Sequence, residues 1–296
     1  MHGQVFAPLA GAFLILAACS GGGSSSGSSG NGAPEVPEVP ARDPGRVLAS
    51  FAEADPNNPG DGVRTAPSVA RLYSEPGGQI RLDMVEGPME GMVIFCDDRS
   101  GAQCHVNAAG VGATGTGSLS ARRKGDFAYV GQFVVNHDMS GVSYTNTHSV
   151  HAHAPDRAHL DVHLPDGALR YNGQFAAGAG VGSAEGMVSG TATLFANFDT
   201  ATVSGEMEGA FDEVEGPGVQ VVFTGLRIDR DTAYFATDSA SRISFQGERA
   251  WGYIDGAFYG PEAQEAAGAF SFGNDAGGMS GVFLACRRGL DCIQPE

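Results

Sequence analysis

The stretch TVSGEMEGAF at residues 202–211 alternates two kinds of side chain: Val203, Met207 and Phe211, with glycines between them, against polar or small ones. A period of two is typical of a half-buried β-strand, because successive side chains point to opposite faces of the sheet. Seven further segments of similar length lie around it, so the C-terminal part of the chain is predicted to hold eight strands: 168–176, 187–198, 201–210, 219–228, 241–248, 251–259, 266–273 and 279–285.

Gly- and Pro-rich turns separate these segments, and no helical period is visible in them. Eight strands are enough to close a barrel that its own side chains fill, and closure removes exposed sheet edges. We therefore predict a closed eight-stranded antiparallel β-barrel over residues 168–296. Its interior should be filled by large apolar residues, namely Phe258, Phe270, Phe272 and Met207.

The region before the barrel, residues 45–167, also predicts a β domain. Its apolar runs are short and separated by turns, and they indicate strands at 79–86, 91–96, 126–136, 145–153 and 159–164. Residues 45–54 favour a short helix instead. The fold class is therefore all-β, with a turn near residues 164–167 between the two domains.

Composition excludes several functions. The chain has 296 residues, 45 of them Gly and 15 Pro, and a formal net charge of −17 with Lys124 as its only lysine. So acidic a chain lacks the basic face that nucleic acids or anionic membranes require. No catalytic or nucleotide-binding motif is present either, so we expect a binding protein and not an enzyme.

The N-terminus predicts export. Residues 5–18 are apolar but too few to span a bilayer, and they lead through Leu16, Ala17 and Ala18 into Cys19. This pattern resembles a bacterial lipoprotein signal, which implies cleavage before Cys19 and lipidation of its thiol, palmitate included. The alternative is a plain signal peptide with an incidental cysteine. Ser20 after the cysteine favours the outer membrane over the inner one.

Residues 19–44 predict a linker. From residue 20 onward they hold six Ser, six Gly and four Pro. The Gly/Ser part is typical of a flexible coil, and PEVPEVP at 34–40 is typical of a stiffer polyproline-like spacer. An anchor followed by such a linker holds a domain away from a membrane.

The remaining four cysteines fit an exported protein. They allow three pairings, of which the local one is favoured: Cys96 with Cys104, and Cys286 with Cys292. Each pair brackets a short polar loop after an apolar run. Neither spacing is that of a zinc knuckle.

The stretch GAFYGPEAQEAAGAF at 256–270 resembles the signature of the transferrin-binding protein B β-barrel domain, in which Gly-x-Phe-Tyr-Gly-Pro precedes Gly-x-Phe on the next strand. GVF at 281–283 resembles the last strand of that family, and residues 191–205 resemble its second hairpin. The resemblance implies one lobe made of a handle-like β domain and a barrel. The organisation is then a signal peptide at 1–18, a lipid-anchored linker at 19–44, a handle-like domain at 45–167 and a barrel at 168–296.

The same resemblance implies a solute-binding lipoprotein at the cell surface. It would bind haem, a divalent transition metal or an iron-carrying host or environmental protein, for uptake by a neighbouring TonB-dependent receptor. A surface adhesion or interaction lipoprotein that takes up nothing is the alternative, and a periplasmic β-barrel hydrolase is a third hypothesis. We expect a monomer.

Histidines supply the one candidate ligand site. Six of the eight lie between residues 137 and 163. A hairpin over 147–164 would place on one face the residues His151, His153, His159, Asp161 and His163. Imidazoles and a carboxylate at cross-strand distance suit Zn²⁺, Cu²⁺, Ni²⁺ or haem iron. The alternatives are an ordinary wet strand face and a contact surface sensitive to pH.

Overall fold

The computed structural model describes residues 46–54, 63–86, 90–108, 113–139, 142–154, 162–291 and 293. Every regular element in these ranges is a β-strand, as predicted for an all-β chain. No helix in the described part is long and apolar enough to cross a bilayer.

The first eight strands form a closed antiparallel barrel in chain order, in which β8 pairs back with β1. These strands are β1 (Arg46–Ala54), β2 (Val63–Glu75), β3 (Gln79–Glu86), β4 (Val93–Asp97), β5 (Ala102–Ala108), β6 (Ala113–Lys124), β7 (Ala128–Met139) and β8 (Val142–His153). The handle-like domain predicted from the sequence is thus itself a barrel.

The short helix predicted at residues 45–54 is wrong, because this segment is β1 and pairs with both β2 and β8. A short apolar run fits a helix or a buried strand equally well. Long-range pairing makes this segment a strand, since β1 closes the first barrel by pairing with β8. The strand predicted at 159–164 is wrong where it is described: residues 162–164 lie outside any strand.

The closed eight-stranded barrel predicted over 168–296 is instead a nearly closed second sheet of seven long strands and two short ones. They are β9 (Ala168–Val181), β10 (Ala184–Asn197), β11 (Thr202–Phe211), β12 (Val219–Ile228), β13 (Tyr234–Ala236), β14 (Arg242–Phe245), β15 (Glu248–Tyr259), β16 (Glu265–Asn274) and β17 (Gly277–Arg287). Pairing runs from β9 to β12 in order, and β15, β16 and β17 lead back to β9. β13 and β14 both join β12 to β15.

The strand predicted at 241–248 is present as β14 but is shorter, and β13, which precedes it, was not predicted. A turn at Asp238 separates them: its carboxylate accepts the backbone N–H groups of Ala240 and Ser241 at 2.8 and 3.0 Å. Side chain-to-backbone bonds of this kind compete with a sheet ladder.

The interior of the second sheet contains the four residues predicted for it: Phe258, Phe270, Phe272 and Met207 are all at most 1% exposed. Glycines make room for its rings. A Cβ on Gly256 would lie 2.4 Å from Cζ of Phe235, and one on Gly268 equally close to Cζ of Phe283. Two glycines of the 256–270 signature thus serve core packing.

The local disulfide Cys96–Cys104 is confirmed. The two cysteines face each other across β4 and β5. Cys286 is buried in β17 and is disulfide-bonded, while its predicted partner Cys292 lies outside the described residues, so the pairing of these two stays a prediction.

Candidate functional site

The two sheets meet along β7 and β8 of the first barrel and β15 to β17 of the second sheet. Buried apolar residues from both sides form one cluster there: Ala128, Val130, Ala257, Tyr259, Ala267, Val282 and Leu284. Several of these side chains are alanine, which lets the sheets approach closely. The outward faces of these strands are therefore covered and do not face water.

A hydrogen-bonded chain of three polar residues crosses this contact. His151 on β8 lies with Nδ1 2.7 Å from the Tyr259 hydroxyl and with Nε2 2.9 Å from Oδ2 of Asp255, both on β15. The side chains of His151 and Asp255 are 0% and 6% exposed. Burial raises the pKa of Tyr259 well above its usual value, so its hydroxyl stays protonated. Tyr259 then donates to Nδ1, and His151 donates from Nε2 to Asp255.

The order of groups in this Tyr–His–Asp arrangement is that of a catalytic triad, but the three side chains are closed to solvent. All three residues are buried, so no substrate can reach the ring from solvent. Its consequence is structural: His151 on β8 has both of its partners, Tyr259 and Asp255, on β15, which fixes how β8 sits on β15.

Glu265, at the start of β16, holds the turn between β6 and β7. Its carboxylate accepts the backbone N–H groups of Asp126, Phe127 and Ala128 at 2.7, 3.1 and 2.8 Å. Burial raises the pKa of Glu265, and the three N–H groups act in the opposite direction. The turn therefore serves as an anion nest for a residue that is distant in sequence.

Two further contacts lock the same surface. The side-chain amide of Gln132 on β7 donates to the backbone oxygen of Ser280 on β17 at 2.6 Å. Gly260, with φ +83°, lies under the ring of Phe127, since a Cβ there would be 2.7 Å from Cδ2 of that ring. Tyr259 and Gly260, the centre of the signature stretch, thus both contact the first barrel.

The structure does not form the predicted hairpin with its histidine face. β8 pairs with β7 and β1, so His151 lies opposite Val130 and His153 opposite Ala128. The exposed-ligand interpretation of His151 is wrong, because the second sheet covers that face of β8. His153 packs edge-on against Tyr259, with ring centroids 4.9 Å apart.

The other members of the predicted set lie apart or are not described. The backbone N–H of His163 donates to the oxygen of Pro261 at 2.9 Å, and its side chain is exposed. His159 and Asp161 lie outside the described residues, as does Cys19. Within the described ranges, no group of three or more His, Cys, Asp or Glu side chains is placed to hold a metal ion.

The opposite side of the first barrel carries a row of large side chains across β2 to β5, of which Tyr73 and His105 are exposed and Arg81 and Phe95 are half-buried. Direct cross-strand neighbours form it in the order Tyr73, Arg81, Phe95 and His105. The guanidinium carbon of Arg81 lies 5.5 Å from the ring centroids of both Tyr73 and Phe95. Asp83 holds the same guanidinium through Nε and Nη2, at 2.6 and 2.7 Å. We call these four residues the aromatic–cation row.

Sequence reasoning did not identify this row or the partners of His151. Period-two alternation does place Arg81 and Asp83 on the polar face of β3. The cross-strand register was missing, because it depends on strands β2 and β5, which the sequence pattern did not reveal. Asp255 and Glu265 gave no local signal, since their partners are more than 100 residues away.

Comparison with known proteins gives likenesses of structure only. No protein-family model matches the chain, and no curated protein matches it. A transferrin-binding protein B mutant of Haemophilus parasuis aligns over 84% of this chain and 46% of its own, with 14% identity and a TM-score of 0.42. The N-lobe of lactoferrin-binding protein B of Moraxella bovis aligns over 81% and 98%, with 12% identity and a TM-score of 0.36.

A transferrin-binding protein B mutant of Actinobacillus pleuropneumoniae aligns over 82% of this chain and 100% of its own, with 12% identity and a TM-score of 0.38. This chain thus spans about half the length of the Haemophilus structure and most of the other two. The family whose motifs the sequence resembles is also the family of these structures. At such identities no binding partner carries over from them.

Proposed function

We propose that the chain is a lipid-anchored binding protein of the bacterial outer membrane that captures a macromolecular, iron-carrying partner at the cell surface for a neighbouring transporter. Cys19 would carry the anchor, and residues 20–44 would hold the two barrels away from the membrane. The proposal excludes catalysis by the described residues.

One observation carries the proposal: the polar groups that could perform chemistry are used to join the two sheets. His151, Asp255, Tyr259 and Glu265 are at most 4% exposed and bond to each other or to backbone N–H groups across the contact. Because these groups are used in the contact between the first barrel and the second sheet, the outer faces are the surfaces left to meet a partner. That is the design of a binding module.

The exposed groups favour a protein over haem or a metal ion as the captured partner. Haem needs an apolar slot with an axial ligand. Of the histidines with described burial, His148 and His151 are buried and His153 is half-buried; the exposed ones, His105 and His163, lie on a strand face and in a loop. Exposed tyrosine and arginine, by contrast, are the residues most enriched at protein interfaces.

The test uses whole cells that produce the full chain, with Cys19→Ala as the matched control. Wild-type cells should retain a fluorescently labelled, iron-loaded carrier protein of the transferrin class, and the variant should release the chain to the medium and retain none. Growth on that carrier as the sole iron source should need the chain. Retention without a growth effect would support the adhesion alternative. A Soret shift on titration with haem, without carrier binding, would overturn the protein-partner proposal.

A further inference from the structure

Two exposed arginines lie side by side at one end of the second sheet. Arg287 on β17 pairs with Tyr171 on β9, and the N–H group of Arg288 donates to the oxygen of Arg170 at 2.8 Å, which continues the ladder by one residue. Arg170 and Arg288 are therefore direct cross-strand neighbours, with Cβ atoms about 5 Å apart. Among the described residues, no Asp or Glu lies within ion-pair distance of either guanidinium. Like charges in this position repel each other, so an anion from outside would stabilise the pair.

The side chains that follow Arg170 on β9 add hydrogen-bond donors. Nε of Arg170 donates to Oδ1 of Asn172 at 2.9 Å, and Nε of Arg123, on β6, donates to Oε1 of Gln174 at 3.3 Å. Each amide thus uses its oxygen within the molecule, and its NH2 group is left as a donor. Alternate residues of a strand share one face, at intervals of about 6.8 Å. We call the exposed residues Arg170, Asn172, Gln174 and Arg288 the donor face.

Exposed apolar side chains lie beside the donor face. The guanidinium carbon of Arg170 is 5.2 Å from the ring centroid of Phe195, its cross-strand neighbour on β10. Phe195 is 47% exposed, and Leu290, two residues after Arg288, is 45% exposed. Exposed aromatic side chains together with arginines are typical of protein interfaces. An inorganic anion or a lipid headgroup would use the arginines alone.

The charge of the donor face is opposite to that of the whole chain, whose formal net charge is −17. At physiological ionic strength charges are screened over about 8 Å, so a group that touches the face meets its local charge. Arg81 on the first barrel differs, because Asp83 already holds its guanidinium. A guanidinium binds a carboxylate through two parallel hydrogen bonds. The donor face therefore favours a partner that presents carboxylates.

We propose that the donor face binds an acidic segment of a partner protein. Carboxylates of the segment pair with Arg170 and Arg288, and an apolar side chain of the segment packs against Phe195. The NH2 groups of Asn172 and Gln174 donate to further oxygens of the segment. The bound carboxylates remove the repulsion between the two arginines. The same surface would serve a captured carrier or an adhesive partner, so the assignment does not depend on the function proposed above.

Fluorescence polarisation with the purified full chain at physiological ionic strength tests the surface. The probe is a labelled peptide of three Glu-Glu-Leu repeats, and the same peptide with Gln in place of Glu is its control. The acidic peptide should bind and the Gln peptide should not. The double change Arg170→Gln and Arg288→Gln should weaken binding at least about tenfold, the factor for a loss of ~1.4 kcal/mol. Equal binding of the two peptides, or binding of neither, would overturn the proposal.

A matched variant and a second probe make the test specific. Arg249→Gln removes the same charge from the exposed start of β15, at the end of that strand remote from the donor face, and should leave the affinity unchanged. Phe195→Ala should weaken binding about threefold, the factor for ~0.7 kcal/mol. All variants should melt at the wild-type temperature, since the changed side chains are exposed. Glycerol phosphate, a soluble lipid headgroup, should bind more weakly than the peptide; tighter binding, or an Arg249 variant as weak as the double variant, contradicts the assignment.

Discussion

The first barrel has two outer faces that carry the same kinds of side chain and differ in what covers them. On β8, His151 meets a tyrosine and an aspartate of the second sheet and is fully enclosed. On β3 to β5, Arg81 and His105 stand beside an aspartate and a phenylalanine in water. Polar groups thus stabilise the molecule where a second sheet covers them, and they remain available to a partner where none does.

Because of this difference, the same substitution should lower the free energy of unfolding more on the covered face than on the open one. A buried donor that loses its acceptor costs about 1–3 kcal/mol, whereas an exposed pair contributes about 0–1 kcal/mol. The expected losses in free energy of unfolding are therefore larger for the buried groups than for the exposed ones.

Glu265→Ala should cause the largest loss, about 3–5 kcal/mol of the free energy of unfolding, since it leaves one buried and two part-buried N–H groups without an acceptor. Urea unfolding measures it. The control is Glu262→Ala, whose side chain is 71% exposed and 3.7 Å from Arg287; its loss should stay below about 0.5 kcal/mol. Equal losses for both variants would mean that Glu265 does not hold the turn.

His151→Ala should cost about 2–4 kcal/mol, because it removes two hydrogen bonds and leaves Asp255 buried without this partner. His105→Ala on the exposed face should cost less than about 0.5 kcal/mol. Thermal melting of the two variants side by side gives the comparison. A destabilised His105 variant with an unaffected His151 variant would reverse the assignment of the two faces.

Replacing both Cys96 and Cys104 by Ser should cost about 2–3 kcal/mol, the loop-closure value for so short a segment. Reduction of the wild type should lower stability by a similar amount. If the double variant melts at the wild-type temperature under oxidising conditions, the bridge contributes nothing to the first barrel.

The smallest expected effect is the pH dependence of the contribution that Glu265 makes to the free energy of unfolding. Its folded-state pKa is raised above the ordinary 4.5, so its contribution is fully present below that pH and falls as pH rises through the raised pKa. The free energy of unfolding of wild type minus that of Glu265→Gln should therefore decrease from about pH 4 to pH 7. A difference that grows over this range would contradict the sign of the shift.

The sequence predicted the fold class because alternation and turn residues are local signals. β3 and β12 coincide with their predicted ranges, and β8 begins three residues before its own. β1 was mistaken for a helix, since only its pairing with β8 makes it a strand. The second sheet's partner for His151 was not predictable, because the wet face of one barrel becomes a buried face only when another sheet covers it.

The candidate site shows the same limit. A cluster of histidines in the sequence pointed to metal ligands, but β7 and β1 occupy both flanks of β8, so the strand from 159 onward could not pair there. Cys96 and Cys104 were assigned correctly because a short loop needs no knowledge of tertiary structure. Residues whose partners are distant in sequence, such as Glu265, need the register of both sheets.

The first described strand also determines how the protein responds to a mechanical pull on its N-terminus. All nine residues of β1 pair with β2, and six pair with β8 as well. When Arg46 is pulled along the axis of β1, the ladder hydrogen bonds lie across the direction of the force. The bonds are therefore strained together in shear and do not open one after another, so extraction of β1 requires many of them to break at once.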